Sequence, residues 1–312
     1  MKKIVDVAAA VITRPDGTFL LGQRAPNTFY PGFWEFPGGK VEPGETPDAA
    51  LVRELHEELG IEVVRAYPWI VRQHVYEHAH VRLHFFRVLE WRGEVRDHIH
   101  AALTWQSIDA TMAAPMLPAN GPVLRALALP ALYAITHAGN IGVEPQLARI
   151  DAALQADVRL IQVREPDLPP AAHARFAQRA VALARRYGAK VLINSDRDLA
   201  RQVGADGIHL KSRQLMQTGK RPTFPIVAAS CHNAAELVRA AELELDFAVL
   251  GTVAPTASHP DQPGLGWDAF ARLVRDCPLP VYAIGGMTRA DMEPAWRHGA
   301  QGIAAIRGAW DA

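Results

Sequence analysis

Gly39-Lys40-Val41-Glu42-Pro43-Gly44-Glu45, then seven residues, then Arg53-Glu54-Leu55-His56-Glu57-Glu58-Leu59-Gly60-Ile61: this stretch decides how the first half of the 312-residue chain is read. Thr46 is placed to cap a helix, Pro47 suits a first turn and Gly60 an end, so about a dozen residues between them are expected to be helical. Ala50, Leu51, Leu55 and Leu59 recur on one face, while Glu54, Glu57 and Glu58, at i, i+3 and i+4, share another. Three carboxylates are expected to converge there. Their mutual repulsion is relieved by a divalent cation, and hard oxygen donors select Mg²⁺, with Mn²⁺ also suitable. Such an ion orients a polyphosphate and lowers the pKa of a bound water. Arg53 is placed to pair with a carboxylate and hold its rotamer, and a Gly38-Gly39 turn lets the backbone approach the cation closely. Three glutamates alone would more simply be a solvated face; the complete spacing favours the metal reading.

Around this helix, residues 4 to about 129 show a mixed rhythm. Two apolar runs about Asp16-Gly17 look like a hairpin, a Gly-rich loop precedes the helix, and His74 to Trp91 alternates strand-like runs before a turn at Arg92-Gly93-Glu94. A last helix is expected after Pro122, carrying Val123, Leu124, Ala126 and Leu127. The layout is α+β.

After Pro130 the rhythm changes. Short β-branched runs alternate with helical stretches: Leu132 to Thr136, Leu160 to Glu165, Val191 to Ser195, Gly207 to Leu210, Ile226 to Cys231, Phe247 to Val253, Val281 to Gly285 and Gly302 to Arg307. Eight such runs predict a closed α/β TIM-type (β/α)₈ barrel, smaller than the usual ~250 residues and so built with short helices. An open doubly wound sheet is the alternative. Two domains are therefore expected, 1–129 and 130–312.

Composition agrees with two ordinary cores: 49% of residues are apolar and 21% charged. Lys plus Arg equals Asp plus Glu at 33 each, which gives no net pull toward polymeric nucleic acid or an anionic membrane and suits a free nucleotide. Cys231 and Cys277 are too few and too separated for a disulfide framework, which points to a reducing cytoplasm. No uninterrupted apolar run of about 18 residues occurs. The opening Met1-Lys2-Lys3 and the apolar stretch behind it read as a first strand, because Asp6 interrupts the run and Arg14-Pro15-Asp16-Gly17 ends it.

The pattern Gly-x₅-Glu-x₇-Arg-Glu-hydrophobic-x-Glu-Glu-x-Gly-hydrophobic, filled at every fixed position from Gly39 to Ile61, resembles the Nudix box, and the first 129 residues resemble its MutT-like branch. That branch hydrolyses oxidised purine nucleoside triphosphates, typically 8-oxo-dGTP, to the monophosphate and pyrophosphate, a role in cleaning the nucleotide pool. The resemblance implies Glu54, Glu57 and Glu58 as metal ligands with the Gly38 carbonyl, and Glu45 and Arg53 in the catalytic set. Gln23-Arg24-Ala25, Trp34 to Gly39 and Leu117-Pro118-Ala119-Asn120 match outside the box. By that match Arg24 and Phe36 line the base pocket and Asn120 reads the purine edge, through an amide that both donates and accepts. A turn or helix-capping Asn120 is an equal alternative. The glutamate that family members often carry in the loop before the strand of Trp105 is missing from Arg96-Asp97-His98-Ile99-His100-Ala101. Asp97, His98 or His100 can substitute, a box glutamate can activate the water itself, or the histidines are surface residues.

From about residue 130 the chain resembles thiamine phosphate synthase and its TenI-like thiazole tautomerase relatives, on Leu160 to Glu165, Leu192-Ile193-Asn194, Gly204 to Leu210, Ala229 to His232, Pro255 to Ser258 and Ala283 to Gly286. The implied contacts to a phosphorylated small molecule are Gln162, Arg164, Asn194, His232, Thr256, Gly286 and Arg307. Backbone amides near Gly285-Gly286 would cradle a phosphate. Several positions depart from the synthase pattern: Pro166 replaces a Lys, Ser195 an Asp, Lys211-Ser212-Arg213-Gln214 lacks the acidic metal ligand, and Ser258-His259 replaces a Thr-Lys-type contact. These predict a barrel that has lost synthase activity. The leading expectation is a fused hydrolase of an oxidised dGTP-like substrate. The alternatives are an enzyme of thiamine metabolism cleaving a thiamine diphosphate analogue, or a hydrolase whose barrel serves only as ligand sensor or scaffold.

Overall fold

The computed structural model describes residues 4–77, 79–255 and 264–310. The chain divides into two compact units, Met1–Ala128 and Leu129–Ala312.

In the first unit, β1 (Ile4–Ile12), β4 (Gly38–Lys40), β5 (Glu62–Val75) and β6 (His80–Arg92) form a mixed sheet in the order β4-β1-β6-β5, with β1 and β6 parallel. β2 (Phe19–Gln23), β3 (Trp34–Glu35) and β7 (Ala102–Gln106) form a second sheet. Alternation along β1 explains the layering. Ala8, Ala10 and Ile12 pack with Ala50, Leu51, Leu55 and Leu59 of α1 (Pro47–Leu59). Ala9 and Val11 face a different core that includes Phe85, Val123 and Ala126, the last two from α2 (Gly121–Leu127). The turn at Asp16-Gly17 forms, but the hairpin does not continue: β1 and β2 share only the bridge Thr13 to Phe19 and then join different sheets. β1 is instead paired along its two edges by β4 and β6.

The boundaries of α1 follow from local chemistry. Thr46 accepts a hydrogen bond from the Ala49 amide, Pro47 opens the helix, and Gly60 closes it at φ 67° with its N–H on the His56 carbonyl.

In the second unit, β8 (Leu132–Ile135), β9 (Leu160–Val163), β10 (Lys190–Asn194), β11 (Gly207–Leu210), β12 (Ile226–Cys231), β13 (Phe247–Gly251), β14 (Val281–Ile284) and β15 (Gly302–Ala305) close into an eight-stranded parallel barrel. β8 pairs with both β15 and β9, which excludes the open sheet. Tyr133, Leu160, Leu192, Phe247, Val249 and Tyr282 belong to the core inside the barrel, while Ile161, Val163, Val191, Ile193 and Ile208 pack against the surrounding helices. Burial on both sides is why these strands read as continuous apolar runs. The small size is met by helices such as Arg197–Gln202 and Ser212–Gln217, six residues each. Among the described residues no helix is long and apolar enough to cross a membrane.

Candidate active site

Gly38 and Gly39 form a short strand rather than a turn, with Gly39 opposite Ala8 on β1. The strand lies directly under α1. A Cβ on Gly39 would fall 2.1 Å from the Glu54 carboxyl carbon, and the Gly38 N–H donates to Glu58 Oε2 at 3.0 Å. Two of the box glutamates therefore reach the same three-residue strand, and a side chain at position 39 would displace one of them.

The third behaves differently. Glu57 is 58% exposed and lies 3.3 Å from Arg53 Nη1. Arg53 is the hub of the cluster: it donates Nε and Nη2 to the two oxygens of Glu45 at 3.0 Å each, Nη1 to Glu54 at 2.9 Å, and Nη2 also to the Lys40 carbonyl at 3.0 Å. The three carboxylates are divided between two partners, Glu54 and Glu57 on the Arg53 guanidinium and Glu58 on the Gly38 amide. Among the described residues no three His, Cys, Asp or Glu side chains are gathered as a metal-holding group; Glu54 and Glu57 lean instead on the guanidinium. Hydrogen bonds from Arg53 hold the Glu45 carboxyl below its ordinary pKa, and those to Glu45 and Glu54 raise that of Arg53.

Glu58 is the outlier. Burial pushes its pKa up to about 8; the Gly38 amide opposes this, and the negative charges of Glu54 and Glu35 add to it. Glu35 is itself raised by burial against the pull of Arg24. A buried carboxylate beside two others, with one amide for relief, is a site that a hard divalent cation stabilises, so the donor set fits Mg²⁺ or Mn²⁺.

The loop after β6 is stitched to the C-terminal end of α1. Arg96 N donates to Leu59 O, His98 N to Glu58 O, and the His98 ring sits with Nδ1 3.1 Å from Glu57 O, so carbonyls that a helix end leaves open are satisfied. Asp97 Oδ1 accepts from the amides of Ile99 and His100. The His100 ring, 5% exposed, packs over Gly22, where a Cβ would lie 2.3 Å from it. Its Nε2 is 4.0 Å from Glu58 Oε2 and its Nδ1 3.4 Å from Asp97 Oδ1. Burial lowers the His100 pKa, opposed by Asp97. The surface-loop reading therefore fails for His100.

The residues expected around a base are only partly together. Asn120 is 4% exposed, and its amide lies 3.5 Å from the Trp34 carbonyl; it stands at the start of α2 without capping it. Arg24 is tied to Glu35 Oε1 at 2.6 Å and to the Phe29 carbonyl. Phe36, also 4% exposed, packs between Phe19 and Phe85, which makes it a core residue rather than an open pocket wall. Sequence reasoning missed Tyr30 and Tyr76, whose rings meet at a tilt with centroids 5.4 Å apart, with Tyr76 bonded to the Ala119 main chain. Neither has a local signal, since loop and strand end meet only in the fold.

In the barrel, Gln162 Nε2 donates to the Tyr133 hydroxyl at 3.0 Å, that hydroxyl is 3.3 Å from His209 Nδ1, and His209 Nε2 is 2.9 Å from Ser230 Oγ. Burial, with the charge of Arg164, pushes the His209 pKa down to about 3, so the ring is neutral at pH 7. The chain of polar contacts from Gln162 through Tyr133 and His209 to Ser230 was not foreseen; strand alternation around His209 was the available signal. Gln214 Nε2 donates to the Ser195 carbonyl at 2.9 Å, joining two of the departing positions. Asn194 is half-buried beside Ser195. Arg164 and Arg307 are exposed, as is His232, which pairs with Glu236 at 3.0 Å. Gly285 and Gly286 have φ of 107° and 69°, a left-handed bend open only to glycine without strain. Thr256, Ser258 and His259 lie outside the described residues.

Residues 3–127 match the family model described as NUDIX domain, and residues 132–309 that described as thiamine monophosphate synthase. The chain is 42% identical over 124 residues to the CTP pyrophosphohydrolase of Escherichia coli, 40% of this chain and 91% of that protein. It is 42% identical over 96 residues to the 8-oxo-dGTP diphosphatase of Proteus vulgaris, 31% of this chain and 86% of that protein. It is 32% identical over 190 residues to the thiamine-phosphate synthase of Thiobacillus denitrificans, 58% of this chain and 87% of that protein.

Proposed function

Because the chain belongs to the Nudix family through residues 3–127 and to the thiamine monophosphate synthase family through residues 132–309, we propose that its first unit is a Mg²⁺-dependent pyrophosphohydrolase of nucleoside triphosphates, with 8-oxo-dGTP as preferred substrate. The observation that carries this reading is the approach of Glu54 and Glu58 to one short strand beneath α1, with Arg53 holding Glu45 and Glu54 in place. Glu54, Glu57, Glu58 and the Gly38 carbonyl would hold the cation, Mn²⁺ being an alternative. When bound it supplies charge neutralisation of the polyphosphate and a more acidic water. Arg53 fixes carboxylate rotamers before substrate arrives, so less reorganisation is left for the reaction. Asn120, buried beside Trp34, presents an amide to the base edge, and Arg24 borders the same region through Glu35. On this reading the chain would serve nucleotide-pool sanitisation in the cytoplasm, and through it DNA repair and replication.

A second substrate, CTP, is favoured by the E. coli relative, which the chain matches over nearly its whole length. Pyrophosphate release from 8-oxo-dGTP, dGTP, CTP and the other nucleoside triphosphates, with phosphate release from thiamine diphosphate, separates the readings. A kcat/KM for 8-oxo-dGTP a hundredfold or more above the rest, about 3 kcal/mol in transition-state binding, supports the first. Equal preference for CTP supports the second, and phosphate release from thiamine diphosphate as the fastest reaction overturns both.

The barrel, on this reading, has kept a pocket for a phosphorylated small molecule about Gln162, Asn194 and Gly286 and has lost synthase activity. Ser195 stands where the synthase pattern carries an Asp, and its carbonyl accepts from Gln214 of the Lys211–Gln214 stretch, which lacks the acidic metal ligand. A pyrophosphate-bearing substrate with Mg²⁺ lacks its charged anchors there. Formation of thiamine phosphate by the full chain from thiazole phosphate and the synthase's pyrophosphate-bearing co-substrate would contradict this.

A further inference from the structure

The loop from Glu94 to Ala101 carries three residues able to replace the missing loop glutamate, and the fold treats them differently. Asp97 turns its carboxylate onto its own loop amides, Ile99 N and His100 N. His98 directs its ring at the Glu57 main chain, not at a carboxylate. Only His100 places a side-chain donor atom beside a box carboxylate, Nε2 being 4.0 Å from Glu58 Oε2.

On the basis of the metal-dependent reading above, we propose that His100 is a nitrogen ligand of the active-site cation, joining Glu58 and replacing the loop glutamate. Two donors each about 2.1 Å from one ion stand at most about 4.2 Å apart, so the observed separation is one that a single cation can bridge without moving either side chain far. On its other side the ring meets Asp97 Oδ1, 3.4 Å from Nδ1, an atom that is buried and makes no hydrogen bond in the structure. Metal-bound histidines typically have their second nitrogen oriented by a carboxylate, and Asp97, His100 and Glu58 stand in that order. Gly22 completes the arrangement, because any Cβ there would enter the space that the ring occupies. A neutral nitrogen in place of an oxygen anion leaves less charge on the site and shifts its preference from Mg²⁺ toward later divalent ions such as Co²⁺.

The test uses the full chain loaded with one equivalent of Mn²⁺ and pulsed electron spin-echo spectroscopy, which detects a coordinated imidazole ¹⁴N directly. The signal is expected in the native protein, is expected to persist in His98→Ala, and is expected to vanish in His100→Glu while Mn²⁺ remains bound. In that variant the ratio of the Mg²⁺ to the Co²⁺ dissociation constant is expected to fall at least tenfold. Bound Mn²⁺ without nitrogen modulation in the native protein overturns the proposal and leaves the metal-dependent reading intact, and needs no variant to fold. Modulation that survives His100→Glu, or disappears in His98→Ala, overturns it as well. Failure of the native chain to bind Mn²⁺ at millimolar concentration overturns both.

Discussion

Gly39→Ala separates the position of one carboxylate from the stability of the fold. Gly39 is not held at a positive φ, so alanine fits its backbone, and the closest intrusion is a Cβ 2.1 Å from the Glu54 carboxyl carbon and 2.3 Å from each of its oxygens. Ordinary contacts between non-bonded heavy atoms sit at about 3.5 Å, so the carboxylate must retreat by more than about 1 Å. It is the free end of a side chain, and it can do so while giving up its 2.9 Å bond to Arg53. Misplacing a catalytic group by about 1 Å costs on the order of a hundredfold, or about 2.7 kcal/mol of transition-state stabilisation. The expected result is a kcat for pyrophosphate release about a hundredfold lower, with KM little changed and stability within about 1 kcal/mol of native. Gly38→Ala is the contrast: φ is 140° and its Cβ would strike the Ala8 carbonyl oxygen at 2.1 Å, so the fold itself should lose about 1–3 kcal/mol or more. Near-native turnover in Gly39→Ala would refute the claim that Glu54 acts where it stands. A large drop in melting temperature would show instead that the glycine serves the sheet.

Three further outcomes follow from the same geometry. Glu57→Gln, at a position 58% exposed and outside the core, should fold normally and lose orders of magnitude in turnover even at saturating Mg²⁺; assays across a Mg²⁺ titration check this. Asn120→Ala should raise KM and flatten the preference among nucleotides more than it lowers kcat, and an unchanged order of preference removes Asn120 from base recognition. His209, held down to about 3 against an ordinary 6.5, contributes stability that is fully present above pH 6.5 and is lost as pH falls toward 3. At pH 5 the loss should be about 2 kcal/mol, read as the difference in pH dependence between denaturant unfolding of the native chain and of His209→Gln.

The parts of the fold legible in the sequence are those whose determinants are local. Thr46, Pro47 and Gly60 delimit α1 because cap chemistry is set within a few residues, and the barrel strands show as apolar runs because both their faces are buried. The fate of the turn at Asp16-Gly17 was not legible: whether β2 continues against β1 depends on β4 and β6 claiming both edges of β1, and those strands come later in the chain. Phe36 sits in a motif that suggests a pocket, yet its neighbours Phe19 and Phe85 lie 17 residues before it and 49 after, and they make it core. In the site, the spacing of the glutamates was readable, but not that Arg53 would draw Glu45, Glu54 and Glu57 toward itself. The partnership of His100 with Glu58 required the loop to fold back across 42 residues of chain.

The stitching of that loop to the end of α1 also bears on how the protein can be altered. Arg96 N and His98 N hold the last carbonyls of the carboxylate helix, so the loop's length acts as a ruler for the helix terminus. An insertion or deletion between Glu94 and Ala101 would be felt first as a change in the tilt of Glu58, before any loss of secondary structure. Changes elsewhere in the first unit are therefore best made with this span kept at its native length.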